Sequence, residues 1–92
     1  FIIPFRLDIG DGDGIETNFP HTEANTVFVE RSVVVEATIA GESVQGFDDG
    51  DGNFVGTGLT GTIVYATGTV DVTFDDPPDD GTTVQIGYTQ EV

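Results

Sequence analysis

Carboxylates are the residues of this chain whose number and spacing could do chemistry. Asp49, Asp51 and Asn53 alternate along the glycine-containing stretch from Asp48 to Asn53. Alternate positions on a tight turn can aim their oxygens at one hard cation, and a calcium loop of the EF-hand type opens in this way. Such a loop goes on to need Gly at its sixth position and Glu at its twelfth, where this chain has Phe54 and Thr60. Asp11 and Asp13 repeat the spacing in Gly10-Asp11-Gly12-Asp13-Gly14, with Glu16 as the nearby further acid. The expectation is that both stretches are hydrated turns, in which Gly accepts positive φ and Asp bonds its own backbone. The competing reading is a Ca2+ or Mg2+ site on Asp49, Asp51 and Asn53, or on Asp11 and Asp13. Neither reading requires a cofactor. Asp75, Asp76, Asp79 and Asp80, which flank Pro77-Pro78, read as a solvated turn.

Catalytic arrangements fit less well. A glycosidase pair needs one carboxyl in an apolar pocket that raises its pKa, whereas the acids here fall on turns or on the polar side of alternating segments. His21 is the one histidine, and a hydrolase triad would need it beside Ser32 or Ser43 with no G-x-S-x-G turn to hold the nucleophile. No catalytic residue is assigned, and the chain is expected not to be an enzyme.

The charge balance narrows the partners. Seventeen Asp and Glu stand against two cations, Arg6 and Arg31, for a formal charge of −15. Nucleic-acid binding needs clustered Lys or Arg to neutralise phosphates, so a nucleic-acid partner is not expected, and an anionic membrane surface would be repelled as well. In dilute buffer the same repulsion opposes folding; around 1 M salt the Debye length falls to roughly 3 Å and the surface becomes tolerable. With no Lys, the surface lacks long apolar stems and presents compact hydrated carboxylates. These features point to a halophile. Zero Cys excludes disulfides and thiolate sites. No apolar run approaches the about 18 residues of a membrane span, so no membrane insertion is expected.

The elements that must position these residues are strands. Phe5, Leu7 and Ile9 alternate with polar residues, as do Ile15, Thr17 and Phe19; Val33, Val35, Ala37 and Ile39; Val70, Val72 and Phe74; and Val84, Ile86 and Tyr88. No segment keeps a helical period. Thr62–Ala66 is expected to turn at Thr67-Gly68 into Thr69–Phe74, and Val33–Ala40 at Gly41-Glu42 into Ser43–Phe47, giving two hairpins. Pro20 to Asn25 has no period and reads as a loop with one short helical turn at most. About eight short strands with turn residues between them predict a single all-β domain over 1–92, a small antiparallel β-sandwich or barrel. Seven Phe and two Tyr supply core volume that the 37% apolar content would otherwise lack.

The order of these elements resembles a β-sandwich domain that recurs in structural proteins of tailed phages and viruses, of tail, baseplate or capsid-decorating type. The resemblance is carried by Gly10-Asp11-Gly12-Asp13-Gly14 leading into Ile15–Pro20, Val33–Val35, Asp48–Asn53, Gly61–Phe74, the Asp75–Gly81 turn and the closing Val84–Tyr88. It spans most of the chain, and its motifs are turns and strands rather than chemistry. It implies a virion structural protein that self-assembles as a homo-oligomer and docks on other virion proteins such as a major capsid protein. Joined to the acidic composition, it implies a virus of a halophilic, haloarchaeal host. The alternative is a secreted or cell-surface binding domain of a halophile that recognises carbohydrate or protein.

Interface residues follow from where charge is lowest. Phe1, Ile2, Ile3 and Phe5 form an acid-free start, interrupted by Pro4, that suits an arm or edge strand over 1–5. Phe1 also leads to the expectation of a processed or excised start, since an initiator Met is not normally trimmed ahead of a bulky residue. Arg6 and Arg31 either pair with acids on their own surface or anchor an acidic neighbour. The halophile reading has a direct test. The melting temperature, followed by circular dichroism, should rise from dilute buffer to multimolar KCl, and a salt-independent value would contradict it.

Overall fold

The computed structural model describes residues 2–24 and 26–91, and the side chains among them except those of 2–5, 90 and 91. Eight strands form one antiparallel sheet: β1 (Ile2–Asp11), β2 (Asn18–Thr22), β3 (Val34–Ile39), β4 (Glu42–Asp48), β5 (Asn53–Val55), β6 (Leu59–Val64), β7 (Thr69–Phe74) and β8 (Thr83–Glu91). Their order is β1-β8-β3-β4-β5-β6-β7-β2, so β3 to β7 run as a meander and the remaining strands cross over to its flanks. The sheet curls until its two end strands meet, and the result is a nearly closed barrel rather than two separate layers. Closure depends on Gly10 of β1, where an added Cβ would lie 2.5 Å from Phe19 Cδ1 of β2. Among the described residues no helix is long and apolar enough to cross a membrane.

Strand alternation sends one side chain in two inward. Val35 and Ala37 of β3, Val70, Val72 and Phe74 of β7, and Val84, Ile86 and Tyr88 of β8 are buried in one cluster with Phe19, Phe28, Val33, Phe54, Leu59 and Ile63. Phe19 packs edge-on against Phe74 with centroids 5.9 Å apart, and Phe28 lies 4.6 Å from Tyr88. Aromatic pairs of this kind add about 0.5–1.5 kcal/mol beyond the area they bury.

Four local expectations are corrected. Ile15 does not begin a strand with Thr17 and Phe19: it is 82% exposed in a bend, because Asp13 Oδ1 accepts the amides of Ile15 and Glu16 and removes them from any ladder. Pro20, His21 and Thr22 are not loop but the second half of β2, opposite Asp71, Val70 and Thr69. Proline is tolerated there because β2 is a sheet end, paired on one side only. Asn25, expected in that loop, lies outside the described residues. Tyr65 and Ala66 leave the strand for a 3-10 turn, Tyr65–Thr67, closed by Gly68 in the left-handed region. The other hairpin turns at Ala40-Gly41, one residue earlier than expected, with φ of 53° and 77°.

Positive φ at both central residues is the twist that a two-residue hairpin needs, and Ala40 is strained in it. The strain is offset from the β7–β8 connection. Asp79 Oδ1 and Oδ2 accept the amides of Ala40 (2.9 Å) and Gly41 (2.8 Å), while the Asp79 amide donates to Thr38 O. Asp79 is therefore a half-buried clamp, not the solvated turn residue expected from sequence. Asp79→Ala should destabilise the fold by about 1–3 kcal/mol in chemical denaturation. Ala40→Asn, better suited to positive φ, should stabilise it by about 0.5–1 kcal/mol.

Candidate functional site

The Asp48–Asn53 turn lies at one rim of the barrel, between β4 and β5, and its acids have separate environments. Asp48 continues the inward phase of Val44 and Gly46 and is 8% exposed. Its Oδ2 accepts the Arg31 amide at 2.6 Å, and its Oδ1 accepts the Gly50 amide at 2.8 Å and the Tyr65 hydroxyl. Tyr65 Oη in turn accepts the Gly52 amide at 3.1 Å. Burial, reinforced by donation to the Asp48 carboxylate, pushes the Tyr65 phenol up to about 12. Arg31 holds the left-handed region, φ 67°, to present its amide, and its side chain lies against Gly50. Tyr88 is also raised, chiefly by burial.

Asp49, Asp51 and Asn53, the stronger candidate cation ligands, share one turn, and Asp49 spends its oxygens on that turn itself. Its Oδ1 accepts the amides of Asp51 (2.7 Å) and Asn53 (3.2 Å), and its Oδ2 accepts Asn53 Nδ2 (3.4 Å). The Asp51 amide is the main reason that the Asp49 carboxyl sits below its usual range. Asp13 behaves alike, lowered by the amides of Glu16 and Ile15, while Asp11 ends β1 opposite Thr83. Among the described residues no three His, Cys, Asp or Glu gather as a metal-holding group.

His21 Nε2 is 3.5 Å from Glu23 Oε2 and makes no hydrogen bond. The serines weighed for a triad lie on other segments. Ser32 Oγ donates to Val29 O and accepts the Thr89 amide, and Ser43 lies on β4 opposite Thr38. Of the expected interface residues, Ile2, Ile3 and Phe5 lie on β1 opposite Glu91, Gln90 and Tyr88 of β8, and Phe1 lies outside the described residues.

A feature that the sequence reading missed lies on the outer surface. Register places Arg6, Gly87, Val34, Phe47 and Val55 in one row across β1, β8, β3, β4 and β5. Phe47 is 49% and Val55 51% exposed, side by side. The next row is Asp8, Gln85, Glu36 and Gln45, and its acids are partnered: Gln85 Nε2 donates to Asp8 (2.8 Å), Gln45 Nε2 to Glu36 (2.7 Å), and Arg6 Nη2 stands 4.0 Å from Glu36. Beside Phe47 a groove runs along β4, lined by Glu42, Ser43, Gln45 and Thr57. The signal was present: if Asp48 points inward, its neighbour Phe47 must point out.

A scan against protein-family models finds no match, and comparisons with curated proteins and with solved structures find none. The fold and site define a small acidic β-barrel with an apolar outer row. The viral resemblance rests on the residues quoted for it alone.

The Tyr65 network sets an alkaline limit. The folded chain keeps on Tyr65 a proton that the unfolded chain gives up near pH 10, so stability holds below about pH 10 and falls as pH rises towards 12. Tyrosinate absorbance against pH, with and without denaturant, should separate the two titrations. Tyr65→Phe should remove the Tyr65 share of this loss, leaving that of Tyr88, while costing about 1–3 kcal/mol at neutral pH, because Asp48 loses a donor.

Proposed function

We propose that this chain is a non-enzymatic virion structural protein of a halophilic tailed virus, a capsid-decoration or tail component, acting by self-assembly and by docking on shell or tail proteins. The observation that carries the reading is the exposed apolar pair Phe47 and Val55 at one end of the outer row, turned outward on a chain with a formal charge of −15. Acidic surfaces repel one another, so contacts concentrate where acids are few or already partnered. Burying half-exposed apolar side chains supplies the attraction, at about 25 cal/mol per Å2 of apolar area. High salt screens what repulsion is left.

One observation favours a second reading, a secreted or cell-surface carbohydrate-binding domain. The exposed Phe47 ring stands beside a groove lined by carboxylate, amide and hydroxyl groups of Glu42, Gln45, Ser43 and Thr57, a mixture suited to a sugar's apolar face and hydroxyls. Quantitative mass spectrometry of particles purified from the producing cells separates the two. The assembly reading expects this chain at a fixed, high copy number per particle. Its absence from particles, with saturable binding to a polysaccharide in high salt, would replace that reading with the second.

A further inference from the structure

We propose that the free edge of β4 beside the groove is a strand-docking site, which takes a short extended segment of another protein in line with β5. The segment is free of acids and proline, with an apolar residue opposite Val44 and a Lys or Arg opposite Glu42. The inference rests on the assembly reading and deepens it by naming the edge and the chemistry of the docked partner.

The bonding phase of β4 is fixed at its C-terminal end. The Asp48 amide donates to Val33 O ahead of β3, and the Asp49 amide donates to Asn53 O of β5. Backbone bonds of an antiparallel strand alternate in direction, so Glu42, Val44 and Gly46 bond towards β3 while Ser43, Gln45 and Phe47 face the other way. On that other side β5 pairs only with Phe47 and Asp48, ends at Val55, and gives way to the turn into β6. Among the described residues, the Ser43 amide and carbonyl and the Gln45 amide therefore meet no backbone partner. They open on a groove of about 470 Å3 between β4 and the Gly56-Thr57 turn, within the size range of ligand clefts. Gly56 closes the groove at its β5 end, where an added Cβ would lie 2.6 Å from Gln45 O.

The two end strands also have open edges, and both are blunted. β2 bonds to β7 through its odd-numbered residues, in phase with the Phe74 amide on Thr17 O and the Glu23 amide on Gly68 O. Pro20 therefore faces the seam with β1 and offers no amide there, and the Asn18 amide is taken by Glu16 Oε1 at 2.9 Å. On β1, Pro4 lies opposite Thr89, whose amide and carbonyl bond Ser32 Oγ and the Val29 amide on the far side of β8, so Pro4 faces the seam as well. A bulge between Asp8 and Gly10 interrupts the rest of that edge. Proline and bulges keep an exposed edge from accepting a strand. The β4 edge has neither: Glu42 to Phe47 contains no proline, and its register with β3 is unbroken.

The side chains of β4 define the partner. Directly opposite residues of paired strands share a face. Val44 is half-buried against the core, so the residue opposite it lies on apolar surface. Glu42 is exposed and makes no ion pair among the described residues, so a cation opposite it is favoured, and the formal charge of −15 repels an acidic segment. A segment running in the direction of β5 reads apolar, any residue, basic. Phe47, 49% exposed, walls the groove near β5. Main-chain bonds to Ser43 and Gln45 supply affinity, and Val44 and Glu42 supply the choice of sequence.

Amide NMR of the nitrogen-15-labelled chain, in the lowest KCl concentration that keeps it folded, tests the proposal. The probes are capped hexapeptides Thr-Thr-X-Thr-Lys-Thr with Val, Ile or Phe at X, each titrated to millimolar concentration. At least one should give saturable shifts at Ser43, Gln45 and Thr57 and slow hydrogen exchange of the Ser43 amide about tenfold or more. Methylating the backbone nitrogens of that peptide should weaken binding about tenfold or more, since the strand loses its donors. Ser43→Pro, which removes an amide facing the groove and no bond to β3, should weaken binding to a similar degree with circular dichroism unchanged. A peptide with Glu in place of Lys should bind more weakly to the wild type, and Glu42→Gln should reduce that discrimination. No saturable shift with any of the three peptides, shifts confined to other residues, or a methylated peptide that binds equally well would overturn the proposal. Dextran that shifts the Ser43 and Gln45 amides where the peptides do not would make the groove a sugar site and overturn it too. If the peptides fail while the chain is present in particles at fixed copy number, strand docking falls and the assembly reading stands. If they bind and the chain is absent from particles, the edge site stands and the virion setting falls.

Discussion

Asp48 carries a carboxylate at the end of a strand that points into the barrel, and one rim of the molecule is organised around it. Charge taken out of water must meet donors inside the fold or it costs several kcal/mol. Three arrive from separate segments: the Arg31 amide from the β2–β3 connection, the Gly50 amide from its own turn, and the Tyr65 hydroxyl from the 3-10 turn after β6. Arg31 accepts an unfavourable left-handed backbone for this purpose, and Tyr65 is held in its protonated form well beyond the usual range. The Phe28 amide donates to Tyr65 O, so the loop that brings Phe28 into the core is tied to the same point.

The opposite rim repeats the logic with Asp79. Its carboxylate bridges the β3–β4 turn, while Gly12 and Gly14 donate to Thr82 O and Pro78 O and fasten the end of β1 to the same connection. Asp13 and Asp49 close smaller turns around single carboxylate oxygens. A chain this acidic thus spends part of its acidity as backbone acceptors. The carboxylates that shape turns are less available to a cation, whose ligands need lone pairs free to point at one centre.

The outer surface divides along the same lines. Where amide side chains or Arg6 engage the acids, Phe47 and Val55 stand exposed in the row beside them. Where hydroxyls and amides cluster, on β6, β7 and β2, the surface stays polar. The proposed assembly role would use the first kind of surface and the alternative sugar-binding role its margin, and both proposals depend on Phe47 facing out of the barrel rather than into it.

Strand positions were legible in the sequence because alternation is local: Val70-Val72-Phe74 and Val84-Ile86-Tyr88 declare their buried side without reference to any partner. Turn chemistry was legible for the same reason at Asp49 and Asp13, where acceptor and donors lie within a few residues. By itself the sequence determined an all-β domain, its acidity and most of its strands. Ile15 and Pro20 misled because a carboxylate two residues away and an edge position overrode local pattern. The tertiary structure decided what depends on distant pairing. Asp79 clamps a hairpin 38 residues away in sequence, and Asp48 faces donors from three segments. Arg6, Gly87, Val34, Phe47 and Val55 share a row only because β8 inserts between β1 and β3. Register between strands far apart in sequence is set by closure of the whole barrel, and no local pattern encodes it.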